Sequence, residues 1–251
     1  MKIIHLSDIH IGYRNLSEKF SEIVERMIIH KRPCSGYIVI ITGDIVQSAL
    51  RKRNFITAQT LLNRLRKAGF TLLIVPGNHD YGTGCLGNKR YKRVYNKYIL
   101  NEEDASFPRL HIIDNTAFIG LDSMADELHW YDRAFAQGEL GDVQLKKLED
   151  MLSDEKIKRC KYRLLYLHHH PLHTKIGEKL KDSKKLKGII KNKKIDAVLF
   201  GHKHEAKVWN GCWGIKRFYD AGTSTAKKGK PSPHRIMDLG KEPSTDYDAR
   251  F

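Results

Sequence analysis

Five short polar clusters in this 251-residue chain carry the residues able to hold cations or move protons. They read Ser7-Asp8-Ile9-His10, Gly43-Asp44, Gly77-Asn78-His79-Asp80, His168-His169-His170-Pro171 and Gly201-His202-Lys203-His204. The donor types are Asp, His and Asn without Cys. Such a mixed oxygen and nitrogen set suits manganese, iron or zinc better than calcium. In Asp8-x-His10 and His202-x-His204 the spacing of two turns both side chains to one face of an extended segment. Asp44 offers two oxygens and a full negative charge, which is what bridging two cations requires. Two cations roughly 3.5–4 Å apart clamp a phosphate and lower the pKa of a water between them.

Each cluster follows an apolar run that reads as a strand. Lys2–Leu6 precedes the first. Tyr37–Thr42 (YIVIIT) precedes the second and Thr71–Val75 (TLLIV) the third; continuous apolar runs are the mark of strands buried on both faces. Tyr162–Leu167 precedes the fourth and Ile195–Phe200 the fifth. Helices are predicted at Leu16–His30, Asn54–Lys67 (ending near Gly69), Lys89–Leu100, Val143–Leu152 and Lys179–Lys191. A strand pair is predicted at Leu110–Ile113 and Ala117–Leu121 around Asp114-Asn115-Thr116, with further strands in Val208–Tyr219 and Arg235–Leu239. Gly82–Asn88 reads as loop and Asp122–Gly141 as a long irregular connection. In layered α/β folds the strand ends emerge at one edge, where ligands bind, so five polar clusters at five strand ends converge on one site.

Composition narrows the class. At 41% hydrophobic residues the chain supports one sizeable core, and no run of 18 apolar residues suggests a transmembrane helix. The N-terminus turns polar too early for a signal peptide, which points to the cytoplasm. Cys34, Cys85, Cys160 and Cys212 are scattered without a C-x-x-C pair and read as reduced thiols. The net charge of +16 favours anionic partners, nucleic acid among them, although the lysines are spread along the chain rather than gathered in one block. The densest stretches are Lys175–Lys194 and Lys227–Lys230.

Together the five clusters, in this order from Ser7 to His204, resemble the calcineurin-like metallophosphoesterase family, closest in look to its bacterial cyclic-nucleotide phosphodiesterase-type members. The resemblance implies an α/β fold: a four-layer α/β/β/α sandwich of two mixed sheets flanked by helices, spanning residues 1–240 ahead of a polar tail at 241–251. It implies two divalent metal ions, manganese first, with iron or zinc as alternatives. Asp8, His10, Asp44 and His204 would hold one ion. Asp44, Asn78, His169 and His202 would hold the other, with Asp44 shared. His169 is taken from the family's His-x-Pro pattern, with His168 and His170 not excluded. His79 would contact the phosphate and either protonate the leaving oxygen or stabilise charge, and Asp80 would orient His79 through a ring nitrogen. The implied reaction is phosphodiester hydrolysis by a water or hydroxide activated at the dinuclear centre. The implied partner is a phosphate-ester substrate, and a homodimer is in keeping with the family.

Taken singly, Asp8 reads as a helix cap and Gly77-Asn78 as a turn; five such coincidences in order do not. A DNA nuclease of the double-strand-break repair type and a lipid-A precursor pyrophosphatase are the alternative activities, and a non-catalytic scaffold the alternative class. The second cluster, Gly43-Asp44-Ile45-Val46-Gln47-Ser48, lacks the arginine-bearing block of the Ser/Thr phosphatases. His5, His30, His111, His129 and His234 read as ordinary surface or core histidines. Arg14 reads first as a solvated loop arginine and second as a phosphate ligand, reach to substrate is the lesser of two readings for His173, and Gly222-Thr223-Ser224-Thr225 resembles the family segment that closes the second sheet, with a plain polar loop as the alternative.

Overall fold

The computed structural model describes residues 1–84, 88–125, 137–173, 179–225 and 235–238. Two mixed sheets face each other. The first has the order β10-β1-β2-β3, built from β1 (Lys2–Leu6), β2 (Tyr37–Thr42), β3 (Thr71–Val75) and β10 (Arg235–Asp238). The second has the order β4-β5-β6-β7-β9-β8, built from β4 (Arg109–Ile113), β5 (Thr116–Gly120), β6 (Tyr162–Tyr166), β7 (Ala197–Phe200), β8 (Val208–Asn210) and β9 (Arg217–Asp220). The inner strands of both run parallel; β10, β4 and β8 are antiparallel edges.

Side-chain alternation sorts the strand residues into three cores. Ile4, Leu6, Val39, Ile41 and Ile74 point outward under α1 (Leu16–His30) and α2 (Lys52–Ala68). Ile3, Ile38, Ile40, Leu73 and Val75 point inward, against Phe118, Leu164, Tyr166 and Leu199 of the second sheet. Ala117, Ile119, Leu165, Val198 and Phe200 point outward on the far side, under α4 (Asp142–Ser153) and α6 (Ser183–Ile190). Each large aliphatic or aromatic side chain buried here contributes about 1.5–3 kcal/mol. The result is the four-layer α/β/β/α arrangement expected from the sequence.

Register puts the chemistry at one edge. Leu6 pairs with Ile41 and Thr42 with Val75, so the first three clusters leave the first sheet side by side. Gly120 pairs with Tyr166, Tyr166 with Leu199, and Phe200 with Asp220 in the second. The pairing of β1 with β2 continues past the strands as a parallel bridge between Ile11 and Val46.

Several boundaries differ from expectation. The basic helix is α3 (Lys89–Tyr95) followed by a π-helical turn over Asn96–Leu100. The hairpin turn is Asp114-Asn115, both with positive φ (46° and 58°), which frees Thr116 to enter β5. The helix expected from Lys179 begins at Ser183, because Leu180 is drawn into a bridge with Gly138. A short helix, α5 (Glu155–Lys158), adds to the expected elements. Cys34 and Cys160 are buried free thiols and Cys212 is half-buried. Cys85, His129, His234, Lys227–Lys230, the middle of the 122–141 connection and the 241–251 tail lie outside the described residues. None of the described helices is long and apolar enough to cross a membrane.

Candidate metal centre

The backbone at the site is strained. Asp8 (φ 52°), His10 (54°), Asp44 (51°), His202 (75°) and His204 (57°) all sit in the left-handed region. For residues with a Cβ this costs of order 1–2 kcal/mol each and persists only where surroundings over-determine it. Asp8 N donates to Gly43 O (3.1 Å), and Ile9 N and His10 N both donate to Asp44 O (2.9 and 3.0 Å). Gly201 N donates to His168 O (3.0 Å), and His202 N to the Asp8 carboxylate (3.0 Å). Close approach also fixes glycine at two positions: a Cβ on Gly77 would lie 2.3 Å from Asp44 Oδ1, and one on Gly201 1.9 Å from Ser7 Oγ.

Two groups of donors meet around Asp44. In the first, His204 Nε2 donates to Asp8 Oδ1 at 2.9 Å, and His10 Nε2 lies 3.9 Å from both Asp8 Oδ1 and Asp44 Oδ2. In the second, His168 Nε2 lies 3.5 Å from Asp44 Oδ2, 3.0 Å from Asn78 Oδ1 and 3.2 Å from His202 Nδ1. Asp8, Asp44, Asn78 and His168 are buried. Burial pushes the Asp8 and Asp44 carboxyls up. The opposing pull of His204, His168 and His10 on Asp8, and of His168, His79 and His10 on Asp44, outweighs it and holds both below the ordinary carboxylate value. Burial alone would lower His168, but Asp44 and Asp8 raise it. Burial keeps His202 well below the ordinary imidazole value.

Hydrogen-bond direction shows that this second group fits a cation. His168 Nδ1 faces the Thr42 carbonyl at 2.7 Å, which only accepts, so the ring proton sits on Nδ1. The Asn78 amide nitrogen donates to Gly84 O at 2.7 Å, which turns its oxygen toward His168. In the neutral protein two lone pairs, Asn78 Oδ1 and His168 Nε2, therefore face each other across 3.0 Å beside a carboxylate. Either a second proton on His168 or a metal ion relieves that contact.

Two sequence assignments meet neighbours that the sequence did not mark. His168 stands beside His169, the expected ligand, and its Nε2 lies nearer Asp44 and Asn78 than the sequence reading placed it. Leu164 and Tyr166 point between the sheets, and Leu165 and Leu167 to the helix side; β6 ends at Tyr166, before the three histidines. His169 is fully buried, its Nδ1 2.8 Å from Ser123 Oγ and its Nε2 without a hydrogen-bond partner. It stays close to the group, with one ring nitrogen from each of His168, His169 and His202 lying within 4.8 Å of one another. The second concerns Asp80. Its oxygens accept from Val46 N (3.0 Å) and Gly77 N (2.9 Å), and the His79 ring is held instead by the Gln47 carbonyl, 2.6 Å from Nδ1. Asp80 thus ties the third cluster to the second, and burial beside Asp44 raises its carboxyl to about 7.

The family described as calcineurin-like phosphoesterase matches residues 1–206 of the chain. The chain belongs to this family. It is 30% identical over 131 residues to the DNA double-strand break repair protein Mre11 of Methanococcus maripaludis, a stretch covering 48% of this chain and 34% of that one. The chain thus spans about a third of that relative's length. In fold it is similar to TT1561 of Thermus thermophilus (TM-score 0.60, 16% identity, 95% and 94% of the two chains covered). It is similar also to the purple acid phosphatase PPD1 of yellow lupin (TM-score 0.59, 13% identity, 93% and 46% covered).

In this phosphoesterase the sequence reading singled out the 222–225 segment but not what it touches, and it missed the roles of Ser123 and Gln47. Thr223 Oγ1 donates to Asp8 O (2.9 Å) and Thr225 Oγ1 to Ile9 O (2.7 Å), while Ser7 and Ser224 exchange two bonds (2.9 and 3.0 Å). The segment after the last cluster therefore fastens the first. Ser123, which clamps His169, lies in a stretch with no motif to mark it. Gln47 acts through its backbone carbonyl, which no side-chain pattern reveals. Of the remaining histidines, His5 is buried on Thr42 Oγ1 (3.0 Å), and His170 packs its ring on Phe200 and Trp209. Burial and His173 push His170 down to about 4. Arg14 lies over the Tyr13 ring, 5.3 Å from its centroid.

Proposed function

We propose that this phosphoesterase hydrolyses a phosphodiester at a dinuclear centre of divalent cations, manganese first. Asp8, His10, Asp44 and His204 hold one ion; Asp44, Asn78, His168 and His202 hold the other. The observation that carries this reading is the convergence of Asn78 Oδ1 and His168 Nε2 beside Asp44, with the Asn78 amide nitrogen donating to Gly84 O and His168 Nδ1 to Thr42 O. Bound there, the two ions supply Lewis acidity toward the phosphoryl oxygens and a water of lowered pKa. The protein's own groups do the rest. The buried Asp44 keeps its charge and lies within 4 Å of His10, His79 and His168. His79, steered by the Gln47 carbonyl on Nδ1, presents Nε2 to the site. As the imidazolium it donates that Nε2 proton to the leaving oxygen. No serine or cysteine nucleophile is required, so no covalent intermediate forms.

The resemblance to Mre11 over 131 residues supports a second reading, in which the diester is DNA. The net charge of +16 and the basic α3 (KRYKRVY) favour a polyanionic substrate.

The test is hydrolysis of bis-p-nitrophenyl phosphate against p-nitrophenyl phosphate, with manganese and with chelator, in wild type and Asp44→Ala, with linear DNA in parallel. Diester cleavage lost in chelator and in the variant supports the proposal, and metal-dependent DNA degradation would favour the second reading. No turnover and no bound manganese by elemental analysis would overturn both.

A further inference from the structure

A cavity of about 440 Å³ opens where the N-terminal turn of α4 meets Asp122, Phe107 and Lys92, in the size range of small-molecule sites. Its walls mix apolar surface (Phe107, Leu140, Val143) with Lys92 and Lys147, and buried Asp122 forms part of its lining. The polar wall is already satisfied. Asp122 accepts from Tyr81 OH (3.1 Å) and Met124 N (2.9 Å), and Lys92 Nζ stands 4.0 Å from it. Gln144 accepts from Asp122 N and donates to Asp122 O, both at 2.8 Å. Asp142 at the rim is paired with Lys185. Lys147 pairs with no carboxylate among the described residues. Lys147 follows Val143 by four residues on α4, so both lie on one helix face. Val143, 73% exposed, is the most exposed of the large hydrophobic residues described.

The cavity's Asp122 is joined to the catalytic edge through residues that do not line it. Tyr81, whose hydroxyl fixes Asp122, directly follows the third cluster. Ser123, next to Asp122, fixes His169 beside His168.

We propose that this cavity binds the organic part of the substrate beyond the scissile phosphate, a group with an apolar body and a further anionic charge. The apolar body lies against Phe107, Leu140 and Val143, and the charge meets Lys147. This rests on the phosphoesterase reading for its role but not for its existence as a site.

The probe is 1-anilinonaphthalene-8-sulfonate, an aromatic body with one anion, titrated by fluorescence. Wild type is expected to bind one equivalent saturably. Val143→Trp, which fills the cavity from an exposed position, and Lys147→Glu, which reverses the charge, are each expected to weaken binding at least tenfold. Asp44→Ala is expected to leave it unchanged. In wild type the probe is expected to raise KM for bis-p-nitrophenyl phosphate without changing kcat. Equal affinity in wild type and both cavity variants, loss in Asp44→Ala alone, or inhibition that lowers kcat with KM unchanged would overturn the proposal. If wild type binds the probe as expected but neither hydrolyses an ester nor binds manganese, the phosphodiester reading fails and the cavity stands.

Discussion

Asp220→Asn is expected to stabilise the metal-free protein, and by more as pH rises. Asp220 ends β9 and is fully buried. One oxygen accepts from Gly222 N at 2.7 Å, while Oδ2 has no partner. Burial, with help from the nearby Asp8 charge, raises its carboxyl from 3.8 to about 7. The folded state therefore holds this proton more tightly than the unfolded chain. Stability from the group is fully present below pH 3.8 and is lost as pH rises through about 7. The shift of about three units corresponds to roughly 4 kcal/mol at pH 9, about 2 kcal/mol at pH 5 and almost nothing at pH 3. Asparagine keeps the acceptor for Gly222 and carries no charge at any of these pH values. Urea denaturation of both proteins in chelator at pH 3, 5, 7 and 9 reads the difference. A difference that is flat across pH, or a variant less stable than wild type at pH 9, would refute the reasoning.

Other outcomes follow from single contacts. His168→Ala is expected to lower affinity for the second ion at least tenfold, read by manganese titration followed by electron paramagnetic resonance, and His169→Ala to change it less; the reverse order would return the ligand's place to His169. Gly77→Ala places a methyl 2.3 Å from Asp44 Oδ1 and should abolish manganese binding while far-ultraviolet circular dichroism stays near wild type. Thr223→Val removes the donor to Asp8 O inside a buried segment and should cost about 1–3 kcal/mol in chemical denaturation. Dialysis against chelator should remove hydrolysis, and manganese should restore it, because the donors are held by hydrogen bonds present without metal.

The sheets were legible because their strands are apolar runs with sharp ends. Residues 2–6, 37–42 and 71–75 appear in the structure as read. The site's residue types were legible as well, since each cluster follows such a run. The choice between His168 and His169 was not. Both parities of β6 are buried, so the sequence does not mark which faces the other sheet. The partner of His79 escaped for a different reason: it is a carbonyl, and every residue has one. Thr223 and Thr225 form an ordinary polar stretch until their distant partners, the backbones of Asp8 and Ile9, are seen.

That fastening has a consequence for synthesis. Asp8 is synthesised well before the hydroxyls that secure its backbone, which belong to residues more than two hundred positions later. A nascent chain displaying all of Asp8, Asp44, Asn78 and His168 still lacks the clasp on its first loop. The first loop can therefore be fastened as the structure shows it only after Thr225 has been made.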